Sequence, residues 1–203
     1  GYIGKVHTIH AQLGRFPAAT QFAEDPIPDY FDYDRWLGPD PWDPYNSKRI
    51  EGNYGGGWRK FWEYGSRKNG DWGAHHFDII QWALGMDESG PIRVVPPEDP
   101  TAKRGAALEY ANGVRLTHGG PGGATVIGDK GLIAVDRGRI ASVPAGVLEW
   151  EAGDGERLPR NAGHAANWLD RIRDRGKPIC HEEVGARSVA ICHLMNIAYW
   201  HRR

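Results

Sequence analysis

One carboxylate and two imidazoles stand together near the middle of the chain, in the run Asp71-Trp-Gly-Ala-His-His76. The apolar pattern that follows them predicts a helix over residues 71–84, ended by Gly85 in the C′ position. Residues four apart lie one turn apart on a helix, so Asp71 and His75 share one face while His76 points to a neighbouring face. A carboxylate beside an imidazole suits general acid–base catalysis, because it orients the ring and tunes it to work near neutral pH.

Each of these side chains also has a structural interpretation. Asp71 fits the N-cap of the predicted helix, a role that typically contributes ~0.5–2 kcal/mol. Two histidines on adjacent faces favour the catalytic interpretation of Asp71 and His75. His76 is a candidate for substrate binding, with a structural hydrogen-bonded residue as the alternative. We assign no metal ligand, because adjacent helical residues point about 100° apart and the known two-histidine helix motif uses i, i+4 spacing.

The elements that position these residues begin with a strand predicted over residues 5–12. A Pro-, Gly- and aromatic-rich excursion follows over about residues 13–65, and loops of that length usually carry function or pack on a neighbour. We expect its rings, Trp62 and Tyr64 among them, to form a binding wall, although rings also commonly cover one face of a sheet. The aromatic residues that favour a shared surface are Trp36, Trp42, Tyr45, Trp58, Trp62 and Tyr64.

Short runs of alternating residues, separated by turn residues, predict six further strands. They cover residues 92–95, 106–110, 114–118, 124–128, 131–136 and 139–143. Amphipathic patterns predict two closing helices over residues 162–175 and 184–199. The order of elements predicts one domain over residues 1–203 with an α+β fold, in which a largely antiparallel open β-sheet, read as a meander, has helices packed on one face.

The composition excludes several classes of protein. The chain has 203 residues, a formal net charge of −1, 25% charged and 40% hydrophobic residues, which is typical of a soluble globular domain with a real core. Basic residues alternate with acidic ones, so no nucleic-acid partner is expected. No apolar run approaches the ~20 residues of a membrane span, and no leader pattern is visible. Two cysteines are too few for a disulfide framework.

Several motifs are spread over nearly the whole chain in a recognisable order. They are Trp58-Arg-Lys-Phe-Trp-Glu-Tyr64, Asp71-Trp-Gly-Ala-His-His76, Tyr110-Ala-Asn-Gly-Val114, Gly128-Asp-Lys-Gly131 with Val135-Asp-Arg-Gly138, and His193-Leu-Met-Asn-Ile-Ala198. Together they resemble the C-terminal domain of the Gfo/Idh/MocA oxidoreductases. In that family an N-terminal Rossmann domain binds NAD or NADP, and the C-terminal sheet domain supplies the sugar or cyclitol pocket and the dimer contact.

The resemblance implies roles for individual residues. Asp71 and His75 match the family's catalytic pair, in which the carboxylate holds the imidazole and the imidazole takes the proton from the oxidised hydroxyl. Lys68 matches a lysine that orients substrate, although the family's Gly-Gly-Lys stretch is Ser66-Arg67-Lys68 here, which bears on the local loop shape. The resemblance also places His164 near the substrate pocket.

No cofactor-binding residue is expected within these 203 residues. The glycine runs at residues 52–57 and 119–123 lack the strand-to-helix context that holds a pyrophosphate, and the Glu-Lys-Pro motif that ends the family's Rossmann domain is absent. NAD or NADP is therefore expected only if a separate or upstream Rossmann domain exists.

Two functional hypotheses follow, and a third is compatible with both. In the first, the chain is the carbohydrate-pocket and oligomerisation domain of a sugar or cyclitol dehydrogenase, binds a small carbohydrate or cyclitol, and forms a dimer or tetramer through its sheet face. In the second, it is a naturally Rossmann-less hydrolase or lyase acting on carbohydrate through Asp71 and His75, with or without a metal ion. The third is a structural sheet protein that forms homodimers.

Overall fold

The computed structural model describes residues 2–14, 21–52, 57–62, 64–149, 151 and 160–201. The excursion predicted over about residues 13–65 lies partly outside these ranges, as do Glu63 of the Trp58–Tyr64 motif and most of the glycine run at 52–57. The described chain is a mixed α/β fold built on a seven-stranded open sheet.

Every predicted strand is confirmed to within one residue at each end. The strands are β1 (Val6–Gln12), β2 (Arg93–Val95), β3 (Ala107–Glu109), β4 (Arg115–His118), β5 (Gly123–Gly128), β6 (Gly131–Asp136) and β7 (Arg139–Val143). The predicted strand limits are accurate because short turns separate most of these strands, and glycine and asparagine in the turns mark where each strand ends.

The strand order β2-β3-β4-β1-β5-β6-β7 shows that the expected single meander is wrong. β1 is inserted between two three-stranded meanders, parallel to β4 and antiparallel to β5, so the sheet is mostly antiparallel with one parallel pair. The chain crosses the end of β1 in the loop that follows β4. Gly120 has φ +92° there, and a Cβ on it would lie 2.8 Å from the Cβ of His10. Only glycine fits so close a crossing without strain.

The described residues form the three predicted helices and three short ones that the sequence pattern did not predict. The short ones are α1 (Tyr33–Leu37), α2 (Ser47–Ile50) and α3 (Arg67–Asp71), and the predicted ones are α4 (Gly73–Ala83), α5 (His164–Asp174) and α6 (Glu182–Trp200), with 3-10 turns at Gly57–Lys60 and Ala145–Glu149. The predicted helix over residues 71–84 therefore begins late. Asp71 ends α3, and Trp72 takes the N-cap position of α4 without a side-chain cap, so the N-cap interpretation of Asp71 is wrong.

The predicted end of α4 is confirmed. Gly85 has φ +65°, its N–H donates to the carbonyl of Trp82 at 2.9 Å, and the N–H of Met86 donates to the carbonyl of Gln81 at 2.8 Å. These two bonds satisfy the last carbonyls of the helix in a Schellman motif.

One aliphatic core lies between the sheet and the helices α4 and α6, and we call it the sheet core. Its strand residues include Ile9, Leu108 and Leu116, and its helix residues include Phe77 and Met195, all with 0% exposure. Burying each such side chain contributes about 1.5–3 kcal/mol. The sheet core holds α4 and α6 against the sheet and so fixes where the Asp71–His76 segment lies.

A second cluster is built almost entirely from rings, and we call it the aromatic lobe. Tyr33, Leu37 and Tyr45 are buried in it. The partly buried side chains packed against them are Phe31, Trp36, Ile50 and Tyr64. The lobe includes α1 and α2, so part of the aromatic excursion folds onto itself.

Helix α5 differs from α4 and α6. Its predicted apolar stripe is present, but none of its residues is buried, and Trp168, Leu169 and Ile172 are 59%, 45% and 45% exposed. The expectation that helices cover one face of the sheet is therefore not met by α5 within the described part of the chain.

Candidate functional site

The junction between α3 and α4 carries the predicted catalytic residues. Trp72 keeps a right-handed helical backbone there, with φ −81° and ψ −27°, so the chain passes from one helix to the next with little change of direction. Gly73 allows the junction to lie close to α6, since a Cβ at this position would be 3.3 Å from Cys192 Sγ. The packing of the sheet core thus extends to the first residue of α4.

The loop entering α3 has a conformation that favours glycine. Arg67 has φ +49°, in the left-handed region, which costs an L-residue with a Cβ roughly 1–2 kcal/mol. This is the second of the two positions where the resembling family carries glycine. The arginine therefore adopts a glycine-like backbone conformation.

Lys68, Asp71 and His75 are all exposed on this junction. No hydrogen bond or ion pair joins the Asp71 carboxylate to the His75 ring, although both residues belong to the described structure. Lys68 lies beside the end of β1, because a Cβ on Gly14 would be 2.9 Å from the Cβ of Lys68. The three side chains thus lie on accessible surface of one two-helix segment, and their catalytic and substrate-binding roles stay predictions.

His76 has a different environment from His75. It is 4% exposed, its Nδ1 donates to the carbonyl of Trp72 at 3.1 Å, and its Nε2 lies 3.3 Å from Asp136 Oδ1 at the end of β6. A carbonyl and a carboxylate both accept, so both contacts are hydrogen bonds only when the ring carries two protons. These partners fit the structural alternative for His76 and leave no ring nitrogen for a ligand.

Asp136 is the partner that the sequence did not single out. The backbone N–H of Arg137, 2.8 Å from Oδ1, lowers the pKa of this carboxyl, and the bond with His76 lowers it further. The Arg137 guanidinium lies 4.9 Å from the centre of the Trp72 ring. The turn after β6 is therefore fastened to the α3–α4 junction. Its only sequence signal is the Val135-Asp-Arg-Gly138 motif.

Asn69 links the same junction to the last helix. It has 0% exposure, and its Nδ2 donates to Asn196 Oδ1 on α6 at 2.7 Å. A buried amide pair of this kind fixes orientation, because either amide without its partner would carry a desolvation penalty. Sequence reasoning missed both residues, since asparagine on a helix has no distinctive period.

Trp62 and Tyr64 lie in a cleft of three adjoining cavities, which we call the aromatic cleft. The helix-side cavity, about 200 Å³, is lined by Trp62, Tyr64, Gly65, Ser66, His193 and Asn196. The Trp58 cavity, about 280 Å³, is lined by Trp36, Leu37, Asp40, Trp58 and Tyr64. The Trp42 cavity, about 450 Å³, is lined by Asp40, Pro41, Trp42, Asp43, Trp62 and Tyr64. Tyr64 lines all three, so the predicted binding wall corresponds to a concave surface.

The Tyr64 ring is held by an ion pair between the buried Arg49 and the partly exposed Asp43. Arg49, 2% exposed, pairs with Asp43 and donates from Nη1 to the Tyr64 hydroxyl at 3.0 Å. The hydroxyl in turn donates to Asp43 Oδ2 at 3.4 Å. Burial raises the pKa of Tyr64, so the phenol stays protonated and can keep both bonds.

Trp62 connects the cleft to α6, the helix that also packs on the sheet core. Its ring stacks on Trp200 of α6, with centroids 4.5 Å apart and planes 11° apart. Stacked rings of this kind contribute about 0.5–1.5 kcal/mol beyond their buried area. The wall of the cleft is therefore anchored on the same helix that carries Asn196.

His164 does not join these residues in the described structure. It is the exposed first residue of α5, a helix without buried residues, and it lines none of the three cavities. Its place near the substrate pocket stays a prediction, because it depends on what the exposed helix α5 packs against.

The fold and the site define an open-sheet α/β domain in which Lys68, Asp71 and His75 are exposed beside an aromatic cleft. The profile of the oxidoreductase family's C-terminal α/β domain matches residues 12–203. The chain therefore belongs to the Gfo/Idh/MocA oxidoreductases and corresponds to their C-terminal domain. No curated protein matches it significantly.

One solved structure that it resembles is the WlbA dehydrogenase from Bordetella pertussis, crystallised in complex with NADH and UDP-GlcNAcA. The two chains share 16% identity with a TM-score of 0.46. The match covers 99% of this chain and 55% of the dehydrogenase, so this chain spans about half the length of that enzyme.

Two general features complete the description. Within the described ranges, no three or more His, Cys, Asp or Glu side chains cluster in a way that could hold a metal ion. The same ranges contain no helix long and apolar enough to cross a membrane.

Proposed function

We propose that this chain is the carbohydrate-binding and oligomerisation domain of a sugar or cyclitol dehydrogenase. The observation that carries the proposal is family membership over residues 12–203, together with the exposed Lys68, Asp71 and His75 on one short segment. The family assignment supports an oxidoreductase role over a stand-alone hydrolase or lyase.

In this proposal His75 accepts the proton of the hydroxyl that is oxidised. Its exposed imidazole can accept a proton and can reach a bound hydroxyl without prior opening of the fold. Asp71 lies one residue before the junction and one helical turn from His75, so a bound ligand could draw both side chains together. Lys68, one turn before Asp71, would donate to a neighbouring hydroxyl and orient the ring.

The fastening of the junction supports this assignment of roles. His76 and Asn69 are buried on either side of the exposed residues and hold the segment to Asp136 and Asn196. Catalytic groups work best when carried on rigid elements with their supporting contacts satisfied. The exposed side chains of Asp71 and His75 are free to meet a ligand, whereas their backbone is not free to move.

The glycine-rich loop over residues 119–122 does not fit a dinucleotide. It joins β4 to β5 and so leads into a strand rather than into a helix N-terminus, which is where a pyrophosphate would bind. We propose that NAD or NADP binding, required for a dehydrogenase, belongs to residues outside this chain.

We further propose that the sheet face opposite the sheet core forms the contact between copies. Thr8, His10 and Gln12 on β1 alternate with the buried Ile9 and Ala11 and so point to that face. Ile127 of β5 pairs with Thr8, and Leu132 of β6 pairs with Ile127, so partly exposed aliphatic side chains lie on the same face. Exposed apolar surface of this kind commonly marks an interface. Native mass spectrometry of the purified chain tests this, with a dimer or tetramer expected and a monomer contradicting it.

Calorimetric titration of the chain with D-glucose, D-galactose, D-glucuronate and myo-inositol tests the ligand-binding role. At least one of these compounds should bind, and His75→Gln should weaken it about tenfold. His7→Gln is the matched control, because His7 is an exposed histidine at the opposite end of β1 from the junction. The proposal fails if none of the four binds, or if both histidine variants bind like the unmodified chain.

A further inference from the structure

We propose that the aromatic cleft binds a second sugar ring, so that the ligand is a neutral saccharide of at least two rings. This inference rests on the proposed function, because it names the substrate class of the same site. It assigns a role to the part of the cleft that lies beyond the α3–α4 junction.

The cleft is continuous with the segment that carries the acid–base residues. Ser66 lines the helix-side cavity and is the N-cap of α3, and Asp71 is the last residue of that helix. At 1.5 Å rise per residue, Asp71 lies about 7 Å further along the helix. A ligand with one ring at Asp71 could therefore place its next ring in the cleft.

The Trp58 cavity and the Trp42 cavity are the two outer cavities of the cleft, and their walls suit the faces of sugar rings. Trp42 and Trp58 are 61% and 37% exposed. Each is held by a neighbour, Trp42 by an edge contact with Tyr33 at 5.5 Å and Trp58 by the Arg59 guanidinium, 4.7 Å from its ring centre. A pyranose presents apolar C–H groups on its faces and hydroxyls at its edge, so flat aromatic walls with few polar groups recognise it.

The cleft is fixed before any ligand arrives. Tyr64, which lines all three cavities, is fastened through its hydroxyl to Arg49 and Asp43, and Trp62 is stacked on Trp200. A wall whose side chains are already ordered loses little conformational entropy on binding, which favours affinity.

The charge of the outer cavities distinguishes between extended ligands. Asp40 lines both of them, and its carboxylate makes no hydrogen bond or ion pair within the described residues. It can accept hydrogen bonds from hydroxyl groups, whereas it repels a phosphate. Asp43, the other carboxylate, already pairs with Arg49. The chemistry therefore favours a neutral saccharide over a nucleoside diphosphate sugar.

Calorimetric titration of the chain with glucose, maltose, cellobiose, lactose and UDP-glucose tests the inference. At least one disaccharide should bind about tenfold more tightly than glucose, and UDP-glucose should show no such gain. Trp42→Ala should bring the ratio of the two affinities to about one, and Asp40→Asn, which keeps the side-chain volume, should also lower it. Trp82→Ala, at a 49% exposed tryptophan on α4 outside the cleft, is the control and should keep the ratio.

The outcomes separate this inference from the proposed function. If glucose binding depends on His75 but no disaccharide binds more tightly, or if Trp42→Ala and Trp82→Ala give the same ratio, the inference is overturned and the proposed function stands. A larger gain for UDP-glucose than for the disaccharides also overturns it. If the disaccharide gain depends on Trp42 while His75→Gln changes no affinity, the cleft assignment stands and the proposed function fails.

Discussion

The sheet core and the aromatic lobe are stabilised by different means. The sheet core buries aliphatic side chains between long elements, such as the 19-residue α6 and the sheet. The lobe relies on helices of five and four residues, on tyrosine and tryptophan rings, and on the Arg49–Asp43 ion pair. From this comparison we expect the sheet core to supply most of the stability, whereas the lobe holds a cleft whose shape depends on a few directional contacts.

The two regions meet along one side of α6. Asn196 bonds to Asn69 and Trp200 stacks on Trp62, while Met195 and Tyr199 of the same helix are buried in the sheet core. One face of α6 therefore packs on the sheet, and another supports the cleft. Perturbing each region separately shows how far this division holds.

The largest effect is expected from Phe77→Ala in the sheet core. Removing a ring with 0% exposure leaves a cavity and should lower the free energy of unfolding by about 3–5 kcal/mol. Urea denaturation followed by far-UV circular dichroism measures it. Trp82→Ala on the same helix, half exposed, should cost well under half as much. Equal losses from the two variants would show that α4 is not anchored through Phe77.

Arg49→Met should act mainly on the lobe. It removes the charged partner of the partly exposed Asp43 carboxylate and the donor to the Tyr64 hydroxyl, a change that should cost about 1–3 kcal/mol. Hydrogen exchange should become faster over residues 33–50 and stay unchanged in β1 and β5. Arg35→Met, at an exposed arginine of α1, is the control. Faster exchange across the whole sheet would show that the two regions unfold together.

Acid should weaken the sheet core through His118. Burial lowers the pKa of this histidine to about 4, and its Nδ1 accepts from the Tyr199 hydroxyl at 2.6 Å. Between these two pKa values the unfolded chain, whose histidine has an ordinary pKa, binds a proton that the folded chain does not bind. The free energy of unfolding therefore has its full value above about pH 6.5. It decreases as the pH falls towards 4, by up to about 3 kcal/mol.

Urea denaturation between pH 7 and pH 4.5 measures this effect. His118→Gln should flatten the dependence relative to the unmodified chain, whereas His7→Gln, at an exposed histidine, should not change it. The same slope in all three proteins would contradict the assignment. Because His118 belongs to the sheet core, exchange rates in the lobe should change less than those in β4.

The smallest effect is expected at the contact between the two regions. A double-mutant cycle of Trp62→Ala and Trp200→Ala should give a coupling free energy of about 0.5–1.5 kcal/mol. The single variants serve as their own controls in urea denaturation. A coupling indistinguishable from zero would mean that the stacked rings do not transmit stability from the core to the cleft.

The sequence allowed the strands and the last two helices to be predicted closely, because their signals are local. Alternation and turn residues set the strand limits, and Gly85 marked the end of α4. The predicted start of α4 was wrong because no local signal separates Asp71 from Trp72. The junction depends on the packing of Gly73 against Cys192 of α6. The position of β1 between β4 and β5 could not be predicted either, since nothing in residues 5–12 specifies a parallel neighbour.

The candidate site divides in the same way. The sequence by itself determined that Asp71 and His75 stand four residues apart and that rings crowd the chain before them, because spacing and composition are properties of neighbouring residues. Only the tertiary structure decided that His76 is fastened to Asp136, that Asn69 is bonded to Asn196, and that the rings enclose a cleft. These contacts join residues 60 and 127 positions apart, and such pairings depend on packing of the whole fold rather than on any local pattern.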